Sequence, residues 1–281
     1  MLFLTALIWG VTFVAQKSAM DNLAPFMFNA LRSVIGASAL FLISFFIQQK
    51  RKIKRKPLIK GGLILGIFLF LGMAFQQIGI VTTSAGHAGF ISSLYIVMVP
   101  LFSILLGKKV EKFVWLGVLL AILGLYFLCV KDGFKISTGD LTVLFSGVFF
   151  ALHIVFISKY ANKTDPIKLS CLQFLFAGIF SFFVSLIFEK TTILAINNSW
   201  VELLYAGVLS CAIGFTLQIV AQKHVRPYIA SLILSLESVF ALVAGFLFLN
   251  EIFSLRELFG CLLMFVAVFV AQFHSKKPIE K

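Results

Sequence analysis

Apolar residues recur along this chain in runs near 20 long, separated by short polar stretches. About 20 apolar residues let a helix cross the hydrocarbon core of a bilayer. Ten such runs are read, at 2–18, 25–47, 61–82, 86–107, 113–130, 140–158, 167–188, 199–221, 228–249 and 255–273. The pattern predicts an all-α integral membrane protein of ten transmembrane helices, with connections too short to hold a soluble domain.

Composition strengthens that reading. Sixty per cent of the residues are hydrophobic and 12% are charged, and mean hydropathy is +1.06; a soluble domain carries about 25% charged residues. The 34 phenylalanines suit lipid, and the 20 glycines let membrane helices approach closely. Cys129, Cys171, Cys211 and Cys261 each lie in an apolar run, without metal-ligand or disulfide-framework spacing, and are read as packing residues. The first run has no positive leading segment and no small-residue cleavage site, so it is expected to stay in the mature protein.

The net charge of +13 would suggest nucleic acid in a soluble protein. Here the cations sit in loops on alternate sides, which is topology information. One side collects the cluster from Lys50 to Lys60, then Lys108, Lys109, Lys112, Lys159, Lys163, Lys168, Lys223 and Arg226, and finally Lys276, Lys277 and Lys281. The other holds Lys17, Lys131, Lys135, Lys190 and Arg256. Positive loops stay inside, so both termini are expected in the cytoplasm of a bacterial cell whose inner membrane holds the protein.

The halves overlay with an offset of about 142 residues: Pro25 falls on Pro166, Gln76 on Gln218, Ala88 on Ala230, Ser92 on Ser235 and Gly117 on Gly260. An odd number of spans per half makes the second enter the membrane upside down, as inverted-topology repeats do. Equivalent loops should then differ in charge. Lys108 and Lys109 correspond to Asn250 and Glu251, and Thr82, Thr83 and Ser84 correspond to Lys223 or His224, Val225 and Arg226. The division read is a first five-helix repeat over 1–130, a linker loop at 131–138, a second repeat over 139–273 and a cytoplasmic tail at 274–281.

Four segments carry a resemblance: ALIWGVTFVAQK at 6–17, PFMFNALR at 25–32, AGFISSLYIVMVP at 88–100 and SLILSLESVFALVAGFLFLNE at 231–251. With the ten spans and the repeat, the chain resembles the EamA family of the drug/metabolite transporter superfamily over nearly its whole length. That resemblance implies two inverted five-helix repeats around a central cavity, alternating access, and export of amino acids, amphiphilic drugs or other small metabolites. Ser238 stands where the family's proline is expected, so a kink in span nine loses its usual cause.

The candidate chemistry lies in polar residues inside the spans. Glu237, about nine residues into span nine, falls roughly 14 Å along the helix and close to the midplane, the costliest depth for a carboxylate. Ala230, Ser231, Ser235, Ser238, Ala241 and Gly245 share a helical sector with Glu237 at its edge, and this small face is expected to point into the bundle. Glu237 is read as binding a cationic group or exchanging a proton, against a purely structural glutamate. Arg32 shares a face of span two with Asn29, Ser33 and Gly36; it could attract a carboxylate or clamp helix-end carbonyls, and the second reading is favoured. Lys17 is read as an interfacial anchor.

Gln76 and Gln77 lie in the outer third of span three, and Gln218 and Gln222 in the inner third of span eight, a symmetric arrangement suited to polar walls or gates. His153 is a secondary candidate for proton transfer, with packing favoured. Trp9 and Tyr95 offer aromatic walls, again with packing favoured. No HExxH, GxSxG or paired-aspartate pattern supports a membrane-embedded enzyme, and no cofactor is expected. The remaining rival is a channel without carrier activity. The partners implied are a small-molecule substrate, the lipid bilayer and protons, without nucleic acid, for a monomer or homodimer.

Overall fold

The computed structural model describes residues 1–46, 55–83, 85–129, 137–249 and 254–273, and among these every element is helical. In chain order they are α1 (Leu2–Ala19), α2 (Pro25–Phe46), α3 (Arg55–Thr82), α4 (Ala85–Ser93), α5 (Tyr95–Leu105), α6 (Lys112–Cys129), α7 (Thr138–Tyr160) and α8 (Pro166–Phe188). Then follow α9 (Ile193–Asn198), α10 (Trp200–Leu204), a π-helical stretch (Tyr205–Gly214), α11 (Phe215–Ala221), α12 (Pro227–Leu234), α13 (Glu237–Leu249) and α14 (Leu255–Phe273).

Local chemistry sets several of these boundaries. Ser137 and Asp140 form a reciprocal capping box on α7, the Asp165 carboxylate accepts from the Lys168 amide ahead of Pro166, and Pro227 opens α12 with its fixed φ. Beyond α5, Gly107 takes a φ of +77°, the left-handed conformation that ends helices at little cost to glycine.

Eight stretches among the described residues are long and apolar enough to cross a membrane: Leu2–Ala19, Pro25–Phe46, Arg55–Thr82, Ala88–Leu105, Thr138–Tyr160, Pro166–Phe188, Trp200–Ala221 and Pro227–Ala244. The expected fifth span falls on a shorter apolar helix, Lys112–Phe127, and the tenth on α14, whose first turn carries Arg256 and Glu257. Spans four and nine are each two helices rather than one. The short helix α9 was not expected, because its six residues sit in a stretch read as a connection. Residues 50–54, 131–136 of the linker, Asn250, Glu251 and the tail at 274–281 lie outside the described residues.

Small residues let the helices pack closely. An ideal Cβ on Gly79 of α3 would lie 2.6 Å from the Gly139 carbonyl oxygen and 2.5 Å from Val143 Cγ2 of α7, so only glycine fits this crossing. Gly79→Val should therefore force α3 and α7 apart and cost about 1–3 kcal/mol. The expected result is a clear fall in the thermal unfolding midpoint of the detergent-solubilised protein.

Span nine is buried on both sides over its first part, 227–241. Ala230, Ser231, Ser235 and Ser238 face the interior as expected, but Leu232, Leu236 and Val239 are buried too. The reason is tertiary: α12 and α13 lie between α1 and α4 on one side and α5, α6 and α14 on the other, whereas a helical wheel assumes a lipid-facing side.

Contacts sort the loops by end. At one end Lys108 donates to Ser158 Oγ at 3.2 Å and Arg226 pairs with Glu111. At the other, Ser18 donates to Glu202 at 2.9 Å, and Glu189 accepts from the amides of Phe26 and Met27 at 2.8 Å, capping the start of α2. Phe45, Phe46, Phe183, Phe188 and Phe269 are exposed, an apolar surface suited to lipid.

Candidate functional site

Spans four and nine are interrupted at corresponding places, between Ser93 and Tyr95 and between Leu234 and Glu237. Each break is closed by tighter three-residue bonds: Leu94 to Ile91 and Val97 to Leu94 in one, Leu236 to Ile233 and Ser238 to Ser235 in the other. Span nine thus breaks without a proline. Ser231 and Ser235 donate to the carbonyls of Tyr228 and Leu232 three residues back, and such bonds bend helices.

The breaks bring the first residues of α5 and α13 together. Tyr95 donates its hydroxyl to Glu237 Oε1 at 3.1 Å, and Ser93 reaches the same oxygen at 3.3 Å. The hydroxyls of Ser93 and Ser238 lie 2.7 Å apart, and Ser238 donates to the Gly89 carbonyl at 3.0 Å. Glu237 also stands at the positive end of α13, which favours a negative group. Helix α1 crosses against this point: an ideal Cβ on Gly10 would lie 2.7 Å from the Glu237 carbonyl oxygen, so the approach requires glycine.

Glu237 and Tyr95 border a small interior cavity of about 50 Å³. Trp9, Thr12, Phe13 and Gln16 of α1 form one wall; Arg32 of α2 and Met73 and Gln76 of α3 form a second. Phe150, His153 and Ile154 of α7, Ser210 and Cys211 of the π-helical stretch, and Phe215 and Gln218 of α11 complete it. Among the described residues no group of acidic, histidine and cysteine side chains has the arrangement of a metal site.

The polar atoms of this wall are unevenly satisfied. Gln76 donates to Ser92 Oγ at 3.0 Å and His153 Nε2 meets Gln173 Oε1 at 3.0 Å. By contrast Trp9 Nε1, Gln16 Oε1, Arg32 Nη2 and both amide atoms of Gln218 are buried without a hydrogen-bond partner. Arg32 is held by its Nε bond to Asn29 Oδ1 at 3.0 Å and lies 5.2 Å from the Phe28 ring centroid, which leaves one nitrogen free to donate. Buried polar groups left unpaired cost about 1–3 kcal/mol each, so the lining favours a guest that supplies both donors and acceptors.

Trp9, Arg32, Gln76, Tyr95, His153, Gln218 and Glu237 thus meet at one cavity. Three other candidates do not border it. Gln77 donates to the Gln16 carbonyl at 3.2 Å, Gln222 to the Ile154 carbonyl at 2.9 Å, and Ser235 to its own helix. Lys17, read as an interfacial anchor, donates to the carbonyls of Ile80, Val81 and Thr83 at 2.9–3.1 Å, closing the end of α3. Thr12, Gln16 and Ser210 were missed. The i, i+3, i+7 spacing of Trp9, Thr12 and Gln16 was a usable signal, whereas Ser210 is turned inward by the π-helical stretch, which no pattern in the chain announces.

Comparison with known proteins fixes the class. Residues 1–130 and 137–273 both match the EamA-like transporter family, and the chain belongs to that family. It is 36% identical to an uncharacterized transporter of Archaeoglobus fulgidus over 96% of this chain and 83% of the relative. It is also 27% identical to the uncharacterized transporter YoaV of Bacillus subtilis over 95% and 94% of the two chains. The uncharacterized inner membrane transporter YedA of Escherichia coli matches at 24% over 87% and 80%. One crystal structure shares the fold with a TM-score of 0.80 at 17% identity, covering 97% of this chain and 95% of that one.

Proposed function

We propose that the protein is a secondary carrier that exports small zwitterionic metabolites, amino acids first among them, by alternating access. The observation that carries this reading is the interior cavity, with the Glu237 carboxylate on one wall and orphaned donors of Arg32, Trp9 and Gln218 on the others. A substrate ammonium group rests against Glu237 and a carboxylate against Arg32, each contact charge-assisted. Glu237 is also the group that exchanges a proton, with His153 in second place. The outward direction is part of the proposal, taken from the resemblance alone.

The carrier is built from ten spans in two inverted halves, with both termini cytoplasmic. Supporting this, the two family matches divide the chain between 130 and 137, and the paired breaks fall where an offset of 142 puts Tyr95 on Glu237. A contact between equivalent positions lies on the axis relating the halves and acts as a pivot. Loops carrying Lys108, Lys159 and Arg226 share one end, which the positive-inside rule makes cytoplasmic.

Each end carries a clasp between the halves. Outside, Thr83 donates to Asp140 at 2.5 Å; inside, Arg226 pairs with Glu111 and donates to Tyr228 at 2.7 Å. The Tyr228 hydrogen bond first, and the Glu111 carboxylate after it, raise the Arg226 pKa above its ordinary value. With Cys211 kept as the single cysteine, Thr83→Val is expected to increase its labelling by an impermeant maleimide from outside. Glu111→Gln is expected to increase labelling from inside. Unchanged labelling in both would remove the clasps from the mechanism.

Reconstitution into liposomes tests the function. Saturable uptake of labelled amino acids with counterflow is expected; flux that rises linearly with concentration would instead mark a channel.

A further inference from the structure

A second cavity, of about 700 Å³, lies on the side of the bundle and takes no part in the site described above. Its walls are the first residues of α1, the loop after α11, α12 and one face of α14, and its lining is apolar throughout, including Leu2, Val225, Ile233, Leu236 and Phe269. Water gains no partner in such a groove, and at this depth in a bilayer the medium that reaches it is lipid. Its floor is Leu236, the residue at the break of span nine next to Glu237.

The mouth of the groove carries the opposite chemistry. The loop that contributes Val225 also holds half-buried Lys223, exposed His224, and half-buried Arg226 paired with Glu111. An apolar channel opening beneath a cationic loop matches a single amphiphile with an anionic head and a long hydrocarbon tail.

We propose that this groove binds one acyl chain of an anionic phospholipid, with the head-group phosphate at Lys223 and His224 and the chain end against Leu236. The bound chain props the break of span nine from the lipid side. Assignment to the inner leaflet rests on the orientation proposed above; the binding itself does not.

The test uses the whole protein in nanodiscs of phosphatidylcholine containing a trace of phosphatidylglycerol with a diazirine in mid-chain. Cross-linked peptides are mapped by mass spectrometry. Labelling concentrated on residues 221–236 and 265–269, several-fold above the exposed face of α8, is expected. It should fall several-fold in Val268→Trp, which fills the groove, and in Lys223→Gln, which leaves it open. Ile233→Phe serves as a second filling variant if Val268→Trp folds poorly. Labelling that merely follows exposure, equal labelling by a diazirine phosphatidylcholine, or a groove blocked by another segment of the chain would each overturn the proposal. Nanodiscs have no inside and the readout needs no transport, so failure of the carrier reading or of the orientation leaves this result interpretable.

Discussion

Glu237→Gln is expected to reduce amino-acid counterflow by about 10- to 100-fold while leaving the protein folded. The substitution keeps size and an acceptor oxygen, so Tyr95 and Ser93 retain a partner at 3.1 and 3.3 Å. What it removes is the charge, and a hydrogen bond to a charged group contributes about 1.5–3 kcal/mol. Glu237→Ala should differ in kind: it also strands the Tyr95 hydroxyl, which is buried, and lowers thermal stability. Transport assayed in liposomes beside thermal unfolding separates the two. Normal counterflow in the glutamine variant would remove Glu237 from the substrate's path.

Arg32→Met is expected to move stability and function in opposite directions. The guanidinium is buried, bonded to Asn29 through Nε, and has Nη2 without a partner. Replacing poorly compensated buried charge with an apolar side chain of similar length is commonly neutral or stabilising, by about 1–4 kcal/mol. Asn29 keeps its own bond to the Met73 carbonyl at 3.0 Å, but its buried Oδ1 loses the Arg32 donor, which offsets part of that gain. Affinity for a carboxylate substrate should nevertheless fall by about 10- to 100-fold, the loss of one charge-assisted contact. Equal destabilisation and unchanged affinity would make Arg32 the structural clamp that the sequence reading favoured.

Much of this site was legible because the bilayer restricts where polar side chains can go. Glu237, Arg32, Gln76, Gln218 and His153 could not face lipid, so their place at the interior followed from type and depth alone. Trp9 and Tyr95 border the same cavity, although sequence gave them only a packing preference. What stayed hidden depends on backbone geometry. The break in span nine comes from serine hydroxyls bonding back to their own helix where a proline was looked for. Ser235, expected on the site face, is occupied in that bending, and Ser93 and Ser238 take the contacts with the acid's surroundings. That Lys17 also caps α3 was not legible, because the carbonyls it meets are brought to it only by the position of α3. The burial of the first part of span nine depended likewise on α14, whose packing on α6 no periodicity in α12 reveals.

Counterflow tests the central claim most directly. Liposomes containing the protein and loaded with an unlabelled amino acid are diluted into a trace of the same amino acid carrying a label. A carrier that closes around one substrate at a time, held between Glu237 and Arg32, predicts transient accumulation of label above equilibrium, lost in Glu237→Gln. Label that only equilibrates, or that accumulates equally in the variant, would contradict it.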